Sequence, residues 1–274
     1  MTHRCCLAAA CGVLMMGAAG SAAVVLPDVF AEHMVLQQGA PIAIWGSVNG
    51  PGDQVSIRFA WRTYSVTADR NGHFKILLPP MKAGGPFELT VSDLTFDSFQ
   101  LFDVLVGDVW LLSRAPATEP GSVSAPYQPV LQPFVRIWQS QSAGPWAMPS
   151  PETAATWSAT AYFFGRQLYQ DRKVPVGVIE VPPERLASLA PFSVRGLISF
   201  SEGAAADAAQ SRVAEWRKAW GRTDLPVLSV RQGNGSAGTA GVVVVNVEDI
   251  QDGQEVGGRL AAAARALETS ASGK

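Results

Sequence analysis

The stretch DVLVGDVWLLSRAPATEP, residues 103–120, decides the fold of the larger part of this chain. Residues 104–112 form a nearly continuous apolar run, which is typical of a strand buried on both faces of a parallel sheet. Pro116 follows, so the strand is expected to end near Ser113. Ligands of such sheets bind beyond the carboxyl ends of the strands, and we therefore expect any functional site at this end.

After this strand, apolar runs alternate with amphipathic segments. The runs predict further strands, and the segments with apolar residues at helical intervals predict helices. The predicted strands cover residues 174–181, 194–200, 225–230 and 241–247, and the predicted helices cover 156–169, the segment around Trp216 and Trp220, and a last segment with Val256, Leu260 and Leu267. This alternation indicates an α/β domain over residues 104–270, with a parallel sheet covered by helices on both faces.

Residues 24–103 show a different pattern, in which short alternating apolar runs are separated by Gly, Pro and Asn. Strands are predicted over residues 41–46, 54–59, 63–67, 74–78 and 87–91. Short strands joined by polar turns predict a small antiparallel β-sandwich domain, residues 24–103, ahead of the α/β domain.

Residues 1–23 are predicted to be a secretory signal peptide. Arg4 precedes an apolar stretch over residues 7–19, and the small residues at 21–23 suit a signal peptidase. The stretch is shorter than the ~20 residues that span a bilayer, which disfavours a membrane anchor. A lipoprotein through Cys11 is a weaker alternative, because little apolar sequence precedes it. We expect cleavage before Val24, a secreted or periplasmic protein, and no stable membrane insertion after cleavage.

The cysteines and histidines limit the available chemistry. All three cysteines lie in the predicted signal (Cys5, Cys6 and Cys11), so the mature chain is expected to have no disulfide, thiol nucleophile or cysteine metal site. The histidines are His3, His33 and His73, so a serine–histidine mechanism in the larger domain lacks a base. With no second histidine or cysteine at ligand spacing, we expect no metal, no cofactor, and surface or packing roles for His33 and His73.

The composition favours neutral ligands. Of the 274 residues, 47% are hydrophobic and 16% are charged, which is below the roughly 25% charged residues of typical soluble domains. The formal net charge is −2 and Lys and Arg do not cluster, so nothing points to nucleic acid or an anionic membrane as a partner. A protein partner cannot be named from the sequence.

Nine short segments, taken in order, carry a family resemblance. They are residues 30–37 (FAEHMVLQ), 42–46 (IAIWG), 81–91 (MKAGGPFELTV), 104–112 (VLVGDVWLL), 150–153 (SPET), 159–168 (ATAYFFGRQL), 174–179 (VPVGVI), 190–196 (APFSVRG) and 214–221 (AEWRKAWG). Together they resemble the sialate O-acetylesterases, a branch of the SGNH hydrolases. The resemblance implies a flavodoxin-like parallel sheet with helices on both faces, preceded by a β-sandwich. It also implies removal of O-acetyl groups from sialic acids or related sugars by a serine esterase mechanism.

The chain departs from that family where the resemblance implies the nucleophile. In place of the family's GQSNM motif, residues 114–118 read RAPAT, with Pro116 at the nucleophile position. Proline has neither a hydroxyl nor a backbone N–H, so the nucleophile and a potential oxyanion donor are lost together. A second motif, SSWGG, is replaced by EVPPE at residues 180–184, which removes a glycine donor, and the insertion that follows it in the family is missing.

The last two motifs are also degenerate. The family's WYQGESN corresponds to SFSEGAA at residues 199–205, which lacks the asparagine that helps bind the oxyanion. The family's Asp and His near a DIHP-like sequence correspond to Asp249 and Gln251. Glutamine cannot take up a proton near neutral pH, and Asp249 without its histidine orients nothing. Loss of one triad member costs roughly 10^4- to 10^6-fold in rate, so the sequence predicts a pseudoenzyme.

Two serines are weak candidates for a relocated nucleophile. Ser113 lies before the expected position, and Ser201 stands beside Glu202 near the third motif. Without histidine, either serine would need a Lys or carboxylate base, and turn or helix-cap roles are simpler. Asp108 and Trp110 are predicted to be structural.

The eight tryptophans raise the question of sugar binding, because aromatic faces stack on sugars. Trp157, Trp216 and Trp220 fall on apolar helical stripes and are predicted to pack in the core. The better candidates for exposed rings lie in turn-like or irregular sequence: Trp61, Trp138 and Trp146.

Three functions remain open from the sequence. The first is a secreted, non-catalytic relative of the sialate O-acetylesterases that binds O-acetylated glycans or sialic acids, or serves as an interaction module. The second is a working carbohydrate O-acetylesterase with a rebuilt site. The third is a decayed product without selected activity. Ester turnover would identify the second, and glycan binding would separate the first from the third.

Overall fold

Strands are the most common elements in the described part of the chain. A computed structural model describes residues 24–93, 98–113, 130–140, 144, 146–150, 158–200, 214, 216–218, 220–222, 224–232, 242–247 and 253–272. The strands are β1 (Val35–Gln37), β2 (Ile42–Ser47), β3 (Gln54–Phe59), β4 (Arg62–Thr67), β5 (His73–Leu78), β6 (Gly84–Ser92), β7 (Ser98–Ser113), β8 (Val135–Gln139), β9 (Val176–Val181), β10 (Gly196–Phe200), β11 (Val227–Gln232) and β12 (Val242–Val247). The helices are α1 (Ala159–Arg172), a 3₁₀ helix (Pro183–Leu189) and α2 (Gly253–Ser272), and residues 214 and 216–218 are also helical.

The second half of β7 begins a parallel sheet. Its neighbours are β9 on one side and β10 on the other, and all neighbouring strands in this part of the sheet are parallel. The spatial order is β8-β9-β7-β10-β11-β12. Counted from β7 without the edge strand β8, this is the flavodoxin-like order 2-1-3-4-5. The predicted α/β fold class is confirmed. The strand order reverses at β7, because β9 lies on one side of it and β10 on the other.

The two long helices lie on the same face of the parallel sheet. The hydroxyl Oγ of Ser158 accepts a hydrogen bond from the backbone N–H of Ala161 at 3.1 Å and caps the start of α1. The aromatic ring of Trp110 on β7 meets Phe164 of α1 edge to face, with centroids 5.5 Å apart. The opposite face of the sheet is covered by the 3₁₀ helix and by Trp216.

The first half of β7 belongs to the N-terminal β region. There it pairs antiparallel with β6 and parallel with β1, while β3 and β4 extend the sheet beyond β6. Strands β2 and β5 form a separate two-stranded sheet. The expected antiparallel strands are present, and the expected boundary between residues 103 and 104 falls inside β7. The N-terminal sheet therefore continues into the parallel sheet through one strand.

Candidate functional site

The carboxyl end of β7 lies where the sequence places the functional edge. Ser113 is the last residue of β7, and its register partners are Val181 on β9 and Ser199 on β10. Ser199 in turn pairs with Ser229 on β11. Three serines therefore form a row across adjacent strands near the carboxyl edge.

This serine row points away from α1 and α2. Side chains alternate between faces along a strand, so Ser113 shares a face with Leu111, which lies in the core on the side of the 3₁₀ helix. Ser113 is only 2% exposed, and Ser199 and Ser229 are each 5% exposed. Within the described residues, the Ser113 hydroxyl has no hydrogen-bond partner. A hydroxyl buried in this way is not open to a substrate approaching from solvent.

Glu180 carries the carboxylate nearest in register to this edge, and its side chain lies on the opposite face of the sheet from Ser113. Glu180 pairs with Leu112, whose side chain lies in the core formed with α1 and α2. Its Oε2 accepts a hydrogen bond from Gln139 Nε2 at 2.9 Å. Glu180 is therefore not placed to take a proton from Ser113.

The histidines of the described chain lie far from this edge. His33 Nδ1 donates a hydrogen bond to Asp103 Oδ2 at 2.8 Å. Asp103 and Ser113 are 10 residues apart on β7, so at about 3.3 Å per residue the separation is roughly 30 Å. His73 lies at the start of β5 in the separate two-stranded sheet. Neither ring can act as a base at the carboxyl end of β7.

His33 and Asp103 belong to a polar cluster that sequence analysis did not find. The Asp103 carboxylate also accepts a hydrogen bond from Arg136 Nη2 at 2.8 Å, and the Arg136 side chain is almost fully buried. Burial lowers the pKa of the Arg136 guanidinium, and the charge of Asp103 opposes that shift. His33 and Asp103 both have positive φ, 66° and 51°. The three residues are far apart in the sequence, so no spacing pattern could have revealed the cluster.

Asp108 has the structural role predicted for it. Its side chain is fully buried on β7, five positions before the carboxyl end at Ser113. Its carboxylate pairs with Arg172 at 2.9 Å and with Arg195 at 3.6 Å, and it accepts a hydrogen bond from Gln38 Nε2 at 3.0 Å. A buried carboxylate paired with two guanidinium groups fixes neighbouring elements to β7.

Of the six positions singled out for catalysis or its loss, Ser113 alone lies within the described residues. The other positions lie outside the described residues: Pro116, Ser201, Glu202, Asp249 and Gln251. No group of three His, Cys, Asp or Glu side chains that could hold a metal is found in the described ranges. Within those same ranges, no helix has the length and apolar character needed to cross a membrane.

The tryptophan predictions had mixed outcomes. Trp138 and Trp146, two of the three candidates for exposed rings, are both buried, and Trp146 Nε1 donates to the carbonyl of Val29 at 2.9 Å. Local sequence looked irregular there, but both side chains enter the core shared by the two parts of the chain. The third candidate, Trp61, is 96% exposed. Trp216 and Trp220 pack in or against the core, as predicted, and Trp157 lies outside the described residues.

Comparison with known proteins links this architecture to carbohydrate esterases. The sialate O-acetylesterase of Pongo abelii is 31% identical over 184 residues, an alignment covering 54% of this chain and 35% of that protein. The human sialate O-acetylesterase is similar to the same extent. The chain thus spans about a third of the length of these curated relatives. No protein-family model matches it.

The fold has a close counterpart among solved structures. A carbohydrate acetylesterase from Xanthomonas citri superimposes with a TM-score of 0.75 at 23% sequence identity, covering 88% of this chain and 74% of that one. At this identity the match establishes the fold alone. The sequence similarity to the curated proteins confirms the predicted resemblance to the sialate O-acetylesterases.

Proposed function

We propose that this chain, a relative of the sialate O-acetylesterases, does not hydrolyse esters and acts by binding a glycan or another partner. One observation carries the proposal. The strand that delivers the nucleophile in such folds ends at a buried serine, while His33 lies roughly 30 Å away along that strand and His73 lies in another sheet. Serine hydrolysis needs a base within hydrogen-bond reach of the hydroxyl, about 2.6–3.2 Å.

The sequence supports the same conclusion beyond the described residues. Pro116 offers no hydroxyl at the expected nucleophile position, and Gln251 stands at the expected base position. The two losses fall in different motifs of the sequence. A rebuilt site at Ser113 would require a base within hydrogen-bond reach. Within the described residues the Ser113 hydroxyl has no hydrogen-bond partner, so this geometry does not favour the active alternative.

The ligand and the location are part of the proposal. The curated relatives are named for acting on O-acetylated sialates, which makes O-acetylated glycans or sialic acids the first ligands to test. Residues 1–23 have the pattern of a secretory signal, and we propose export from the cytoplasm on that ground. The weak net charge supports a ligand other than nucleic acid.

The test is acetate release by the purified chain starting at Val24. The substrates are p-nitrophenyl acetate and O-acetylated sialic acid, and Ser113→Ala and Ser201→Ala proteins purified in parallel serve as matched controls. We expect all three proteins to release acetate at the rate of buffer, with circular dichroism showing that each is folded. Turnover above buffer that one substitution abolishes would overturn the proposal and identify a relocated nucleophile.

A further inference from the structure

The hairpin that joins β3 to β4 displays Trp61 in an unusual way. Phe59 pairs with Arg62, so the loop contains only Ala60 and Trp61. Both have positive φ, 48° and 68°, as the type I′ hairpin turn requires. That turn favours Asn-Gly, because side chains with a Cβ are strained at positive φ. The turn is therefore strained, and it projects a tryptophan that is 96% exposed.

A groove of about 360 Å³ lies beside this ring. Its apolar wall includes Phe87 and Phe102, and Phe102 is 51% exposed. The buried ring of Phe59 packs against Phe87 edge to face, with the two ring centroids 5.6 Å apart. The aromatic side of the groove is therefore supported by the core of the N-terminal β region and presents two rings to solvent.

The polar side of the groove carries paired charges. Arg58 Nη2 donates to Glu88 Oε1 at 2.9 Å, and both side chains remain half exposed. The Asp103 carboxylate, also in the lining, is paired with the buried Arg136 guanidinium. The groove therefore offers both donors and acceptors but no net charge from these pairs.

We infer that this groove is a binding site for a neutral pyranose oligosaccharide, with the Trp61 ring stacked on one sugar face. A pyranose ring has a face of C–H groups that an aromatic ring can cover and a rim of hydroxyls that both donate and accept hydrogen bonds. Balanced ion pairs satisfy hydroxyls without selecting a charged ligand. The site lies in the N-terminal β region, apart from the carboxyl edge of the parallel sheet, and the inference deepens the proposed binding role without depending on the absence of hydrolysis.

The test measures binding of xylohexaose and cellohexaose to the chain from Val24 by titration calorimetry. Protection of tryptophan fluorescence from iodide is the second readout, because iodide reaches exposed rings such as Trp61. We expect Trp61→Ala to weaken binding about tenfold or more, as for loss of a central aromatic anchor. Trp61→Phe should retain most of the affinity, and Leu77→Ala, which removes an exposed apolar side chain on β5, should leave it unchanged.

A double substitution separates binding from structure. Ala60→Asn with Trp61→Gly places the favoured residues in the turn, so the variant is expected to melt at a higher temperature and to lose sugar binding. Wild-type affinity in this variant would overturn the inference, and so would loss of binding accompanied by a lower melting temperature, since Trp61 would then be structural.

Two further outcomes distinguish other occupants. A wild-type dimer that becomes a monomer in the Asn-Gly variant, without sugar binding by either protein, would assign the groove to a second copy of the chain. Binding of N-acetylneuraminic acid that is unaffected by Trp61→Ala, with no binding of either hexasaccharide, would support the proposed glycan-binding role and overturn the assignment of this groove. The acetate-release test is independent of both results.

Discussion

At the scale of single residues, the turn that connects β4 to β5 is held by one carboxylate oxygen. Asp69 Oδ1 accepts hydrogen bonds from the backbone N–H groups of His73, at 2.9 Å, and Asn71, at 2.8 Å. These bonds favour the ionised form and lower the pKa of Asp69 below 3.8, the His73 bond contributing most. A carboxyl group whose pKa is lower in the folded than in the unfolded state stabilises the fold above the unfolded pKa, and this contribution is lost as the pH falls through the folded pKa.

Asp69→Asn should therefore lower stability at pH 7 but not at low pH. The amide can still accept a hydrogen bond, so the decrease in melting temperature should be small at neutral pH and should vanish below the folded-state pKa of Asp69. Thermal melts between pH 2 and 7 measure this, with Glu184→Gln on the exposed side of the 3₁₀ helix as the control for removing one negative charge. A difference between wild type and Asp69→Asn that is constant with pH would contradict the prediction.

At the scale of elements, the close packing of α2 against α1 depends on a glycine. A Cβ added at Gly257 of α2 would lie 2.7 Å from Phe163 Cβ and 2.7 Å from the backbone N of Phe164, both on α1. A Cβ added at the neighbouring Gly258 would meet nothing within 4 Å. The two glycines are therefore a matched pair in one helix.

Alanine should have opposite effects at these two positions. Gly257→Ala is expected to lower the free energy of unfolding by about 1–3 kcal/mol, because α2 must move away from α1. Gly258→Ala is expected to raise it by about 0.5–1 kcal/mol through helix propensity. Urea unfolding followed by circular dichroism compares the two variants. Equal effects of the same sign would show that the helices do not pack as described.

The parallel strands and α2 could be predicted because their pattern is local. Apolar runs such as residues 104–112 and the helical spacing of Val256 and Leu260 reflect burial, and both elements are present. The turn at Ala60 and Trp61 carries neither Asn nor Gly, so its sequence gives no type I′ signal.

The candidate site was harder to predict than the elements. The sequence placed Ser113 at a strand end. Its burial, however, depends on the core between the sheet and the 3₁₀ helix, and the periodicity of the sequence does not predict that packing. The contact between His33 and Asp103 joins residues 70 positions apart. Its geometry follows from the course of β7 through both regions, which single-sequence patterns do not determine.

At the scale of the whole molecule, one strand and one core join the two regions. β7 pairs with β6 in its first half and with β9 and β10 in its second half. The same core cluster contains residues of the N-terminal β region and residues that cover the parallel sheet. Because β7 is hydrogen-bonded in both sheets, it cannot leave one sheet without exposing strands of the other. The two regions are therefore expected to unfold together.

An aromatic cluster provides the test of this coupling. Phe192, 1% exposed and following the 3₁₀ helix, lies 5.8 Å from the Phe30 ring and 6.3 Å from the Trp45 ring of the N-terminal region. Phe192→Ala should lower the free energy of unfolding by about 3–5 kcal/mol, whereas Leu77→Ala, at a site 60% exposed, should change it by less than about 0.5 kcal/mol.

Coupling between the two regions also predicts that their unfolding transitions occur together. In urea, circular dichroism reports mainly the helices beside the parallel sheet, and tryptophan fluorescence reports rings in both regions. We expect the two transitions of wild type to coincide and to shift together in Phe192→Ala, because the lost ring belongs to a core that both regions share. Two separate transitions, with only one moved by the substitution, would mean that β7 joins two units that fold independently.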